Sequence, residues 1–415
     1  MIDRLGSFRC IVCLVLGLFI GSFVHSNART LLRHSPTLFA QGTTSLQKGQ
    51  YKNAQRHFEA YMCHNDGNLA AIAAKYYLAL CAIKLGQPDS TQYLQQFIKA
   101  YPQHHKAPLA HYQLGNLYFR DQDFAKSITY HLQVNKNALE KSAQEELQYR
   151  LAYAYLHEQD FEQAKAYFDA LKTHENEHCY AASYYAGYIA LKNEDYTTAL
   201  EDLLRASEHI NYQAVVPYLI VQVYYKQKHF QELLSYVHQI QHTNIDLHEK
   251  EEIRLLMAEA YFFTGDYAEA AKYYEMYKAS KDVVVSQEIV YRTAYAFYKA
   301  EEAEKALRYF KELAMQEDRM GQSAGYYAGL LYLKANQKRM ALAAFDKARK
   351  VDFCVDIQEE AAFYYAKVSY ELGHFTTAIE AFKQFKESYG ASKHLSEANS
   401  LLGEAYLRTN DYDLA

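Results

Sequence analysis

Ala152-Tyr-Ala-Tyr155-Leu-His-Glu-Gln-Asp160-Phe161-Glu-Gln-Ala164-Lys-Ala-Tyr-Phe168 decides the fold. A small residue with an aromatic three positions on describes one helix. A polar turn follows, then an aromatic, then an alanine with a bulky ring four positions after it, which describes a second helix. The same order recurs about every 36 residues, with turn aromatics at Tyr51, Phe124, Phe161, Tyr196, Phe230, Tyr267, Phe375 and Tyr412 and with Pro88, Ala303 and Lys338 filling the gaps. Repetition at that period predicts an all-α solenoid of antiparallel helix pairs, about eleven units from residue 35 to residue 415.

A single core of 415 residues would exceed the size at which cores divide. A solenoid escapes that limit because each unit packs only on its neighbours. With 5 Pro and 16 Gly in the whole chain and half of the residues apolar, no disordered connector is expected after residue 35.

Numbering each unit so that the turn aromatic is position 17 puts a small residue at position 8, as in Gly42, Ala79, Gly115, Ala152, Gly187, Ala258, Ala294, Gly329, Ala366 and Gly403. Position 20 is mostly alanine, and position 24 supplies bulk through Phe58, Phe168, Tyr274, Phe310, Phe345 and Phe382. Two helices approach closely only where side chains are small at the crossing. In the sixth unit Val221 and Leu233 replace the small pair, which predicts helices pushed apart near residues 215–240. This pattern resembles the tetratricopeptide-repeat family, with a small residue at 8, Tyr at 11, Gly at 15, Tyr at 17, Ala at 20 and Phe at 24. The resemblance implies a right-handed superhelical solenoid with a concave, peptide-holding groove. Departures are a second unit one residue short around Pro88 and the absence of any Trp. The ending Phe97-Ile-Lys-Ala-Tyr101-Pro102 resembles those of bacterial envelope proteins of this family, and the Tyr-rich units are similar to large exported ones of the Bacteroidota.

The N-terminus differs in kind. Arg4 and Arg9 precede an apolar run from Cys10 to Val24, followed by Ser26-Asn27-Ala28. That order predicts a secretory signal peptide over residues 1–28, the run being shorter than the roughly 20 residues a membrane span needs. The alternative is an anchor in the inner membrane, and membrane association is expected only if the segment is retained. Cleavage after Ala28 moves the net charge from −5 to −6, so no basic field remains for nucleic acid. Cys63 and Cys81, on adjacent helices, are the one cysteine pair worth testing for a bond.

No Gly-rich phosphate loop, nucleophile elbow or His-Glu-x-x-His helix is present, so no catalytic residue and no cofactor is assigned. The best metal candidate, His174 to Cys179, is a single cluster in a link and reads more simply as a solvated linker; His238 and His242 have less support.

Helical arithmetic separates positions 5, 9 and 13 of each first helix from the packing positions 4, 7, 8 and 11. By the resemblance this second face lines the groove. Position 5 holds Tyr76, Tyr112, Tyr149, Tyr184, Tyr218, Tyr291 and Tyr326; position 9 adds Tyr153, Tyr188 and Tyr295; position 13 contributes Lys84, Arg120, Lys192, Lys226, Lys299 and Lys334. The expectation is an aromatic ladder edged by cations, since Tyr gives a large contact area with a hydroxyl at little entropic cost. The rival reading packs position 5 against the next unit and leaves position 13 as the cation any helix C-terminus favours. The family's carboxylate clamp, Lys at 5 with Asn at 9, is missing.

The sequence therefore points to a non-enzymatic interaction scaffold of the bacterial cell envelope, periplasmic or outer-membrane-associated, that binds an extended polypeptide. A binding protein for cell-wall glycan and the sensor part of a membrane-anchored regulator are the alternatives. The last unit stops at Ala415, position 20, before its bulky residue, which predicts a natural chain with at least one further helix.

Overall fold

The computed structural model describes residues 37–411 except 64, 66, 174, 244 and 282. Residues 1–28, expected to be a signal peptide, and residues 412–415, with the turn aromatic Tyr412, lie outside the described residues. Among those described there are twenty-one α-helices and no strand, in agreement with the all-α repeat expected.

Two compact bodies divide the chain between Ile189 and Ala190. The first holds α1 (residues 37–47), α2 (Tyr51–Met62), α3 (Leu69–Lys84), α4 (Ser90–Ala100), α5 (Ala107–Arg120), α6 (Phe124–His131), α7 (Lys141–His157), α8 (Phe161–Lys172) and most of α9 (Cys179–Lys192). The second holds α10 (Tyr196–Ser207), α11 (Val216–Lys226), α12 (Phe230–Gln241), α13 (Lys250–Thr264), α14 (Tyr267–Lys278), α15 (Gln287–Lys299), α16 (Ala303–Leu313), α17 (Arg319–Lys334), α18 (Lys338–Arg349), α19 (Val355–Glu371), α20 (Phe375–Ser388) and α21 (Leu395–Thr409).

Most hairpins are made by one turn design. The N–H of position 16 returns to the carbonyl of position 11, as Asp123 N to Tyr118 O and Asp160 N to Tyr155 O, both at 2.9 Å. That closes the first helix in a Schellman turn, whose position 15 must be left-handed. Gly265 takes it at φ 86°, whereas Gln122, Gln159 and Glu194 take it at φ 61° against the steric preference of a side chain. The Asp at position 16 then caps the second helix: Asp123, Asp160, Asp195 and Asp266 each accept from the N–H three residues on. No residue is spare between the two helices, so they must fold back on each other.

The crossing is closed by size. A Cβ on Gly115 would sit 2.2 Å from the His131 ring, and one on Gly329 would sit 2.5 Å from the Phe345 ring. Ala54, Ala164, Ala270, Ala306, Ala341 and Ala378 at position 20 are fully buried, as are Phe58, Phe168, Phe310, Phe345 and Phe382 at position 24. In the sixth unit Val221 and Leu233 are also fully buried, and Pro217 lies in the first turn of α11. The α11–α12 hairpin packs less extensively than the other hairpins of its body, with α11 only 11 residues long. Cys63 is exposed and Cys81 buried, and both are free thiols.

Candidate functional site

The residues expected to line a groove do not all reach solvent. Tyr76 and Tyr326 are 4% and 9% exposed, which corrects the reading of both as open rungs of a ladder. Tyr76 packs on Phe97, and Tyr326 packs on Phe345 while its hydroxyl donates to Glu360 at 3.3 Å. Tyr112, Tyr149, Tyr153, Tyr184 and Tyr188 in the first body, and Tyr218, Tyr291 and Tyr295 in the second, are half-buried. Lys84, Arg120, Lys192, Lys226, Lys299 and Lys334 are exposed.

Position 5 is partly covered from the next unit by a device seen in both bodies. His178 stacks on Tyr149 at 4.6 Å and holds Glu146 at 2.9 Å; His394 stacks on Phe363 at 4.1 Å and holds Glu360 at 3.1 Å. The bond from His178, with Arg150 adding its charge, keeps the Glu146 carboxyl down at about 2. His178 thus has a packing role, and its neighbour His174 lies outside the described residues. His238 bonds the hydroxyl of Tyr261 at 3.0 Å.

Position 13 is matched to position 17 of the preceding unit. Phe124 stacks on His157 at 4.5 Å, Phe230 stacks on Phe263 at 5.0 Å, Lys299 lies over Tyr267 at 5.6 Å, and Lys338 pairs with Glu371 at 2.9 Å. The pairing changes chemistry as a unit and keeps its register.

Single-helix arithmetic missed a second matched pair. The ring at position 24 stacks on position 6 of the following unit in Phe58–Tyr77, Phe168–Tyr185, Phe310–Tyr327 and Phe345–Tyr364, at 5.2–5.6 Å between centroids. Where position 24 carries a polar ring, His131 or Tyr274, position 6 of the next unit is an arginine, Arg150 or Arg292. His131 bonds Asn116 at 3.0 Å, and Tyr274 donates to buried Glu259 at 2.6 Å while Arg292 pairs with the same carboxylate. The covariation inside one chain was the available signal.

In the second body the half-buried rings are contiguous. Tyr295 meets Tyr291 at 6.3 Å, Tyr298 at 6.1 Å, Tyr267 at 6.1 Å and Tyr327 at 5.4 Å, and Tyr298 meets Tyr327 at 5.0 Å. Burial pushes the Tyr291 hydroxyl up to about 12 and raises Tyr298 and Tyr327 as well, so these hydroxyls stay protonated and can donate at neutral pH. Lys299 borders the cluster through Tyr267, and exposed Lys226 and Lys334 hold the same register in other units, neither with an ion-pair partner among the described residues.

Models of the tetratricopeptide repeat match residues 149–212 and 326–393, and a second such model matches residues 73–104 and 252–280. No curated protein sequence matches. Among solved structures, the TPR domain of P58(IPK) is 19% identical over 82% of this chain and 98% of that one, with a TM-score of 0.26. A tetratricopeptide repeat protein from Parabacteroides merdae is 13% identical over 71% of this chain and 98% of its own, at a TM-score of 0.29. The C-terminal part of a TPR repeat-containing protein from Cytophaga hutchinsonii is 13% identical over 69% and 98%, at 0.33.

Proposed function

Because the chain belongs to the tetratricopeptide-repeat family, whose repeats serve as protein–protein interaction scaffolds, we propose that it is a non-enzymatic scaffold holding an extended polypeptide along its first-helix face. The observation that carries this reading is the contiguous cluster of Tyr291, Tyr295, Tyr298 and Tyr327, with Lys299 at its border. An extended segment exposes backbone carbonyls that tyrosine hydroxyls can meet, and it offers side chains to the ring edges. Exposed Lys226, Lys299 and Lys334 add attraction for acidic residues, which speeds encounter more than it tightens the complex.

The cell envelope is the proposed location, supported by the basic and apolar order of residues 1–28. N-terminal sequencing of the protein recovered from its native host tests that part, with Arg29 as the expected first residue.

The scaffold reading is tested with a partner identified from envelope extract and resynthesised as a peptide. Reversing Lys226, Lys299 and Lys334 together to Glu is expected to weaken that peptide's affinity about tenfold at low salt, with helicity unchanged. An unaltered affinity in the folded variant rejects the first-helix face as the binding surface.

A further inference from the structure

The tyrosine cluster of the second body is one end of a longer band of rings. Tyr225 meets Phe230 at 5.9 Å, Phe230 stacks on Phe263 at 5.0 Å, Phe262 meets both Phe263 and Tyr295 at 5.9 Å, and Tyr295 meets Tyr327 at 5.4 Å. Each step is a ring contact, so the band passes without a break from α11 to α17, across four consecutive units. Phe263 is 50% exposed and the other five rings are half-buried.

Three features of the band select its ligand. The backbone beneath it is helical and spends its N–H and C=O groups internally, so it offers no strand edge for a ligand to pair with. Its spacing is that of packed helices: α11 lies against α13 and α15 against α17, and such axes stand about 8–10 Å apart. A β-strand returns a side chain to one face about every 6.6 Å and an α-helix about every 5.4 Å, whereas a polyproline II helix, with three residues per turn, returns one about every 9.3 Å. Its border is cationic. Lys299 lies over Tyr267, itself 6.1 Å from Tyr295, and Lys226 follows Tyr225 in the chain; both are exposed and neither has an ion-pair partner among the described residues. Glu259, by contrast, is buried and paired with Arg292, whose guanidinium lies over Phe262 and Phe263.

We propose that the band binds a proline-rich segment in the polyproline II form, with one proline ring on the aromatic surface of each unit and acidic residues beside Lys226 and Lys299. Proline has no N–H and so needs no acceptor from the rings, and its fixed φ leaves little chain entropy to lose on docking. The inference rests on the scaffold reading above and names the class of polypeptide held.

Titration calorimetry of the full chain with acetyl-Asp-(Pro)9-Asp amide, the uncharged acetyl-(Pro)9 amide and the equally long acetyl-Asp-(Thr-Gln)4-Thr-Asp amide tests it. The acidic proline peptide is expected to bind about tenfold more tightly than the Thr-Gln peptide, and about fivefold more tightly than its six-proline form, which loses one unit's contact. Phe263→Ala, a change at an exposed ring, is expected to weaken the proline peptides about fivefold. Reversing Lys226 and Lys299 to Glu should weaken the acidic peptide and leave acetyl-(Pro)9 amide unchanged. No proline peptide binding at about 1 mM, equal affinity for the Thr-Gln peptide, or full affinity in folded Phe263→Ala would overturn the proposal. The envelope-derived peptide separates this failure from that of the scaffold reading: if it binds in a manner sensitive to the lysine reversals while the proline peptides do not bind, only the proline assignment falls.

Discussion

Two consecutive unit interfaces in the second body solve the same packing problem with different chemistry. At Phe310 the ring fills the crossing, stacks on Tyr327 of the next unit at 5.6 Å and asks for no hydrogen-bond partner. One unit earlier the same register holds Tyr274, whose buried hydroxyl needs an acceptor. Glu259 supplies it, and the buried carboxylate in turn calls for Arg292 at the position where the ring interface has Tyr327. One added oxygen has thus changed three residues on two units. The repeat thus keeps a register of contacts and leaves the chemistry of each contact open, provided the pair changes together.

Removing Phe310 is expected to have the largest effect, because the side chain is fully buried and its loss leaves a cavity between two helices. Phe310→Ala should cost about 3–5 kcal/mol, read as a shift in the urea midpoint at constant m-value. A loss below about 1 kcal/mol would mean that the interface collapses onto the smaller residue and that ring stacking does not define it.

The polar interface can be broken or converted. Glu259→Leu alone strands the buried Tyr274 hydroxyl and leaves Arg292 with Glu288 as its remaining carboxylate partner, and should cost about 3 kcal/mol. Combining Glu259→Leu with Tyr274→Phe and Arg292→Tyr reproduces the set Leu330, Phe345 and Tyr364 found elsewhere in this body, and is expected to bring stability back to within about 1 kcal/mol of the starting protein. If the triple variant is as unstable as the single one, the two interfaces are not interchangeable solutions and the comparison fails.

The smallest effect concerns the polar interface of the first body. Burial, with the nearby Arg150 charge, pulls His131 down to about 4 from its ordinary value of 6.5. Between those values the unfolded chain takes up a proton that the folded one refuses. Its contribution to stability is therefore intact above pH 6.5 and is lost as pH falls toward 4. His131→Phe should flatten the fall in thermal midpoint across that window relative to the parent. Parallel curves from pH 7 to pH 4 would show that His131 is not the group responsible.

The candidate site was only half legible for a related reason. The Tyr and Lys residues at positions 5, 9 and 13 were placed on the correct helices, yet Tyr76 and Tyr326 are buried and Tyr149 is covered by His178. Whether a ring is open depends on its partner in the second helix, as Phe97 for Tyr76, or in the next unit, as His178 for Tyr149, and the periodicity of one helix carries no term for either. The matched pairs at positions 24 and 6, and at 17 and 13, were written in the sequence as covariation between units.

Residue size and spacing alone carried the period, the two helices per unit and the small-against-large crossing of positions 8 and 24, as in Gly329 with Phe345. These are properties of side-chain size and backbone geometry at fixed spacing, which a one-dimensional pattern can hold. Which rings pack away, such as Tyr76 and Tyr326, and which stay half-buried, such as Tyr291 and Tyr295, was decided by how the helices pack. Burial is a sum over neighbours from three or more helices, whereas each sequence position states only what it brings to that sum.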